Sequence, residues 1–388
     1  MAEEIKKAKK KGRDAGLDLI RVVACLLVVG THVDVMGTGD STKLFIRLLF
    51  ADGVTLFFIL SGFFFFRKGF VETLKRALSS IVFPGIAVML LSYQFSPFVR
   101  DEENIIYCFT HLNFDVCGFL TDLFSWGGNI RESMAAHLWY IFTYLQLVLA
   151  YPLLKPLYSE NVRGIDINEK DRFRKYRWFI IGFIFINQIL MDLNMTGLIS
   201  FSPVQISPFM LYTAPAMLLL TGAEIKDLKR YLDRPEAVQK RKQVRIISAA
   251  VLVIAFASRF FLQRQVFILN SSQDFYLYWN CAFATVQSTA FVIFILSFDY
   301  EKNKPVNFIA RAGRYTFWIY LLHYGIYYFI FFRKGQDWSF GIIDMTNGYD
   351  TIWKEILHIL IRVPTVFLLS LLASYVIENI KRMIQKLP

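Results

Sequence analysis

Long apolar stretches, broken by short polar or strongly basic connections, recur from one end of the chain to the other. Ten of them approach the ~20 residues a helix needs to cross a bilayer: about 17–35, 44–66, 79–98, 135–154, 178–193, 205–222, 246–263, 277–298, 315–332 and 356–378. The pattern predicts an all-α, polytopic membrane bundle of about ten transmembrane helices. Residues 1–16 are expected to form a basic tail and 17–388 a single transmembrane domain, with no appended extracytoplasmic domain expected. Most of the 43 Lys and Arg residues lie in that tail, at the C-terminus and in alternate connections, among them 155–177 and 223–245. The connections between these hold few, such as Arg100, Arg131, Arg259 and Arg264. By the positive-inside rule both termini are then expected in the cytoplasm.

Composition agrees: 55% hydrophobic and 17% aromatic residues exceed what a soluble core can bury. The net charge of +12 is accounted for by topology, so no nucleic-acid partner is expected and the bilayer itself is the first partner. The first apolar run follows a long charged leader without a small-residue cleavage site, which argues against a cleavable signal. Cys108 and Cys117 share the long connection 100–135, expected outside, where a disulfide is permitted. In that connection NIIYCFTHLNFDVCGFLTDLF is apolar enough to lie on the membrane surface, with His111 as an exposed polar residue. Glycine-rich phosphate loops, CxxC, HExxH and GxSxG patterns do not occur, and no metal site or permanently bound cofactor is expected.

Ionisable residues inside apolar stretches are costly and point to a polar interior. In the first stretch Arg21 and His32 stand eleven positions apart, close to three turns, so both leave one helical face roughly 16 Å apart. That face should line a cavity. In the second stretch Ser61-Gly62 interrupts a wall of phenylalanines, either as a helix-packing notch or as a place where a ligand comes close. His137 and Trp139 open the fourth, where tryptophan also serves as a plain interface anchor. Asn187, Gln188 and Asp192 in the fifth should meet a polar interior or its outer mouth. Tyr320 and His323 share one side of the ninth, and His358 and Arg362 one side of the tenth.

In order along the chain, these motifs resemble the acyltransferase 3 family of membrane O-acyltransferases. The matches are Arg21 and His32 separated by ten residues, Leu-Ser-Gly-Phe ending a phenylalanine-rich second span, His137-Leu-Trp139 with a Tyr-Pro exit, and Tyr320-Leu-x-His323. The family commonly shows R-x-x-R ahead of a proline. Here Arg76 precedes Pro84, but Ser79 stands where the second arginine would be, so Lys75 with Arg76 would have to serve. Ordinary positive-inside charge explains those two residues as well.

The resemblance implies an enzyme that moves an acyl group, acetyl by expectation, from cytoplasmic acyl-CoA as co-substrate to a hydroxyl of an extracytoplasmic or lipid-linked glycan. The setting would be the cell membrane, as a multi-pass protein of the bacterial cytoplasmic membrane. Such a transfer needs a base, charge stabilisation and a bound donor. His32 suits the base, an imidazole having an ordinary pKa near 6.5. Arg21, Lys75 and Arg76 would hold the donor's phosphates, a role guanidinium geometry favours. Ser61, Gly62, His137, Trp139, Tyr320 and His323 would form the acceptor site or pocket, with His137 and Tyr320 as candidate oxyanion donors. The reading from a different class is a membrane transporter or export factor for a small solute or surface polysaccharide, which buried polar residues also suit; no inverted repeat supports it.

Overall fold

The computed structural model describes residues 13–33, 40–99, 103–112, 115–124, 136–158, 167–195, 213–270, 281–300, 303–331 and 352–385. Helix α1 (Ala15–His32) starts at Asp14, whose carboxylate accepts from the Leu17 amide at 3.1 Å and so caps an orphan donor of the first turn. Helices α2 (Asp40–Phe50) and α3 (Gly53–Phe65) follow, joined at Ala51-Asp52. Helix α4 (Phe70–Ala77) runs through a π-helical turn (Leu78–Val82) into α5 (Phe83–Val99). The wide turn precedes Pro84, whose ring lacks an N–H and crowds the carbonyl four residues back; opening the spiral by a residue relieves both.

Two short helices, α6 (Ile105–Thr110) and α7 (Val116–Phe124), precede a 3-10 turn (Ala136–Leu138) that leads into α8 (Trp139–Leu149) and α9 (Tyr151–Leu154). The remainder comprises α10 (Ile167–Met195), α11 (Thr213–Leu232), α12 (Val238–Asn270), α13 (Ala282–Leu296), α14 (Lys304–Ala310), α15 (Thr316–Phe331) and α16 (Ile352–Ile384). Among the described residues there is no strand. Among the described residues, six helices are long and apolar enough to cross a membrane: Ala15–His32, Ser41–Phe65, Phe70–Phe98, Arg172–Asn194, Pro235–Val266 and Ile356–Ile384. Helices α8 and α13 are apolar but shorter. Helix α8 ends at Ala150, where the chain turns before Pro152, and α13 starts only at its Cys281 cap. The expected stretch 205–222 is described only from residue 213.

Helix α3 sits at the centre, packed most extensively on α11 and also on α1 and α13. Leu56, Phe58, Ile59, Leu60 and Phe63 meet Met217, Leu218, Leu219 and Leu220 in the largest core cluster. In lipid such contacts gain little from leaving water, so close packing must supply the attraction. Two glycines allow it. A Cβ on Gly62 would stand 2.1 Å from the Leu219 carbonyl oxygen, and one on Gly222 would stand 1.9 Å from that of Ile59.

Several charges are placed differently from the sequence expectation. Arg259, counted with the sparse outer-side charges, is fully buried in α12 and donates from Nη1 to Asp52 Oδ1 at 2.5 Å. Arg177, from a basic connection, is buried too, bonded to Glu224 and to the Leu157 carbonyl at 2.7 Å. The permitted disulfide is not formed: Cys108 and Cys117 are free, the first buried and the second exposed. Gln188 and Asp192 do meet a polar interior, accepting from Thr285 Oγ1 at 3.2 Å and from the Ala282 amide at 2.8 Å. Outside the bundle, Ile106, Phe109, Leu112 and Val116 expose apolar surface, as a segment lying in the interface would.

The Asp52–Arg259 pair gives the first prediction. Removing one partner strands a charge in the interior, at a cost of about 3–5 kcal/mol, whereas replacing both leaves no uncompensated charge. Arg259→Met should therefore lower the unfolding midpoint in detergent sharply, and adding Asp52→Asn should restore much of the loss. A double variant no more stable than the single one would show that the pair's charges do not compensate each other.

Candidate active site

Three histidines from distant parts of the sequence converge. His32 comes from the last turn of α1, His137 from the 3-10 turn before α8, and His323 from the middle of α15. Ring centroids are 5.2 Å apart for His32 and His323, 4.9 Å for His137 and His323, and 6.3 Å for His32 and His137. His137 and His323 are buried, while His32 keeps part of its surface accessible. Tyr324 closes the group, its ring 4.8 Å from His32 and 5.2 Å from His137.

Backbone carbonyls fix the protons of the two buried rings. A carbonyl only accepts, so a ring nitrogen bonded to one carries the hydrogen, and the other nitrogen of a neutral ring keeps a lone pair. His137 Nε2 lies 3.2 Å from the Leu321 carbonyl, and His323 Nδ1 lies 2.8 Å from that of Tyr320 and 3.2 Å from that of Ile319. The remaining nitrogens, His137 Nδ1 and His323 Nε2, are buried without a hydrogen-bond partner among the described residues. Each such acceptor costs about 1–3 kcal/mol. Two of them beside an accessible third imidazole make a site suited to receive hydroxyl groups and a proton. Tyr320 donates its hydroxyl to the His137 carbonyl, tying the turn to α15. That bond engages the phenol, and the tautomer of His137 presents an acceptor, so neither is arranged as the oxyanion donor the sequence suggested.

At the opposite end of α1 stands a group of cations. Arg21 pairs with buried Asp18, which also binds Arg13 at 2.6 and 2.7 Å. The Arg21 guanidinium lies over the Phe64 ring at 5.0 Å and that of Arg67 over the same ring at 4.5 Å. Partial burial, with the charges of Arg230 and Arg21, lowers the Arg67 pKa from its ordinary value. Burial contributes most to that shift, and the neighbouring guanidiniums add to it; Asp18 partners Arg21, and Asp227 accepts from Arg230 at 3.0 Å. Guanidiniums grouped in this way suit an anionic ligand. Lys75 and Arg76, expected to join Arg21, are exposed on α4 and are not among the groups flanking Phe64. Arg76 lies within electrostatic reach of Tyr144 on α8.

Between the two ends Ser61 Oγ donates to the Phe57 carbonyl at 2.8 Å and stands 3.1 Å from Tyr140 Oη. Tyr140 and Tyr320 are 5.8 Å apart, ring to ring. Gly62 belongs to the helix crossing and not to the pocket, because its Cβ position is filled by α11. Trp139 packs on the main core beside α3. Sequence reasoning thus reached His32, His137, Tyr320 and His323, but missed Tyr140, Tyr324 and the grouping of Arg67 and Arg230 with Arg21. Tyr324 adjoins His323, and Tyr140 follows His137 by three residues; their proximity to known candidates was the available signal.

The model of the acyltransferase 3 family, described as an acyltransferase domain, matches residues 14–377. No curated protein and no solved structure matches the chain.

The adjacent residues Ser61 and Gly62 should behave differently. Gly62→Ala drives a methyl into a backbone carbonyl and should cost ~1–3 kcal/mol of stability, the usual cost of overpacking. Ser61→Ala, facing accessible space, should change the unfolding midpoint far less. Equal midpoints for the two variants would mean that the helix crossing is not as tight as described.

Proposed function

The chain belongs to the acyltransferase 3 family and is a membrane acyltransferase, and from this premise we propose that it moves an acyl group, acetyl in the simplest case, from acyl-CoA to a hydroxyl of a glycan. The donor is held on the cytoplasmic face by Arg21, Arg67 and Arg230, with Lys75 and Arg76 on the approach. The acceptor is an extracytoplasmic or lipid-linked sugar that enters at the histidines from the other face. About ten spans with both termini cytoplasmic, in the cytoplasmic membrane of a bacterium, complete this reading.

One observation carries it: His32 ends α1 and Arg21 stands eleven residues before it, each within a group whose chemistry suits one half of the reaction. His32 takes the proton of the sugar hydroxyl as its oxygen attacks the thioester carbonyl carbon. Collapse of the tetrahedral intermediate breaks the carbon–sulfur bond, and the leaving thiolate takes that proton from the imidazolium, so free coenzyme A and the ester are the products. His137 Nδ1 and His323 Nε2 accept hydrogen bonds from sugar hydroxyls and orient the acceptor. Placing the reacting oxygen against a bound thioester is itself a large part of the rate, since it replaces a bimolecular encounter. The Tyr324 ring offers the sugar an apolar face.

Purified protein given labelled acetyl-CoA and an envelope glycan fraction should transfer label to the glycan. His32→Ala and His32→Gln should insert and fold yet lose ~10²-fold or more in rate, because glutamine can share a hydrogen bond but cannot serve as the base. Near-normal transfer by either variant would make His32 structural. Uptake of a solute into vesicles with no consumption of acetyl-CoA would favour the transporter reading instead.

Donor binding gives a separate test. Arg21→Gln and Arg67→Gln should each weaken coenzyme A binding by about tenfold, the scale of one charge-assisted hydrogen bond, and leave the KM for the glycan nearly unchanged. Undiminished coenzyme A binding in both variants would reduce these arginines to topology signals.

A further inference from the structure

Helix α3 lies in the middle of the bundle, and from Gly53 to Phe65 every residue is buried except Val54, Phe57, Ser61 and Phe64. These four fall at i, i+3, i+7 and i+10, which is one face of a helix. The face does not look outward to lipid. Phe64 lies between the guanidiniums of Arg21 and Arg67. Ser61 Oγ stands 3.1 Å from Tyr140 Oη. The Phe57 ring is 6.0 Å from Tyr140 and 6.3 Å from Tyr320, and Tyr320 is 5.5 Å from His137. Val54, at the far end of the face, packs on the cluster that holds Leu138, Tyr320 and Leu321 beside the histidines. A stripe of partly accessible residues therefore runs from the cations toward the histidines over ten residues, roughly 15 Å at ~1.5 Å per residue.

We infer that this stripe is the track for the pantetheine arm of the donor, and that the Ser61–Tyr140 hydroxyl pair is its polar contact, accepting one of the arm's amide N–H groups. The inference rests on the acyl-CoA reading above and adds the residues that recognise the part of the donor between phosphate and sulfur. Length fits. From phosphate oxygen to sulfur the arm spans as many bonds as about four peptide units, ~14 Å at ~3.5 Å each. Chemistry fits as well, since the stripe is apolar, as the arm's methyl and methylene groups require, with hydroxyls at one level. The single hydrogen of Ser61 goes to the Phe57 carbonyl at 2.8 Å, so Tyr140 is the donor in the pair and its oxygen keeps lone pairs free to accept.

The test compares coenzyme A with adenosine 3′,5′-bisphosphate, which carries phosphates but no arm, on the full-length protein in detergent. Wild type should bind coenzyme A more tightly than the bisphosphate. Tyr140→Phe should weaken coenzyme A about fivefold, the scale of one neutral hydrogen bond, while the bisphosphate changes less than twofold. Ser61→Leu, which fills the stripe, should weaken coenzyme A by at least tenfold and again spare the bisphosphate; Arg67→Gln should weaken both. If Tyr140→Phe binds coenzyme A as wild type does, or if it raises only the KM of the glycan, the stripe is not the arm's track. Wild-type protein that binds neither ligand would instead remove the donor reading itself.

Discussion

Two hydrogen bonds exchanged between the turn at His137 and helix α15 hold the candidate site together. The His137 ring donates to the Leu321 carbonyl, and Tyr320 donates back to the carbonyl of His137. An imidazole among apolar helices is tolerable only where its N–H finds an acceptor. Helix α15 supplies carbonyls for both buried rings, through the spare lone pairs of Ile319, Tyr320 and Leu321. Once those protons are fixed, the opposite nitrogens are acceptors by necessity. The chemistry of the site is thus set by backbone oxygens as much as by the histidines, and His32 on α1 completes it from a third direction.

The cation group is tied to the histidines through α3. Its crossing with α11 at Gly62 and Gly222 brings two backbones together and keeps α3 at the centre of the bundle. Only one face is then left accessible, with Phe64 among the arginines at one end and Phe57 near Tyr320 at the other. A donor anchored by its phosphates and an acceptor held by imidazoles would meet along that face. On the proposed reading, neither substrate would need to cross the bilayer before reaction.

Much of this was legible in the sequence, for physical reasons that differ by residue. Helical period alone put Arg21 and His32 on one face, and the cost of ionisable groups in lipid marked them as interior. His137, Tyr320 and His323 were picked out by family resemblance, because spacing cannot tell which helices will meet. Where the reading failed, it lacked tertiary contacts. Arg259 looked like a charge at a span's end until Asp52, 207 positions away, proved to be its partner. Lys75 and Arg76 fitted a basic motif, yet the guanidiniums gathered round Phe64 belong to Arg21 and Arg67. Ser61 and Gly62 shared one motif but belong to different faces of α3, since neighbours on a helix are about 100° apart.

On the proposed reading, donor and acceptor reach one site from opposite faces of the membrane. The most direct measurement of this uses protein reconstituted in one orientation in vesicles, with labelled acetyl-CoA and glycan each confined to a chosen side. Acylated glycan should form when acetyl-CoA faces the side of Arg21 and Arg67 and the glycan faces the side of the histidines. Product formed only when both substrates share a side would contradict that reading.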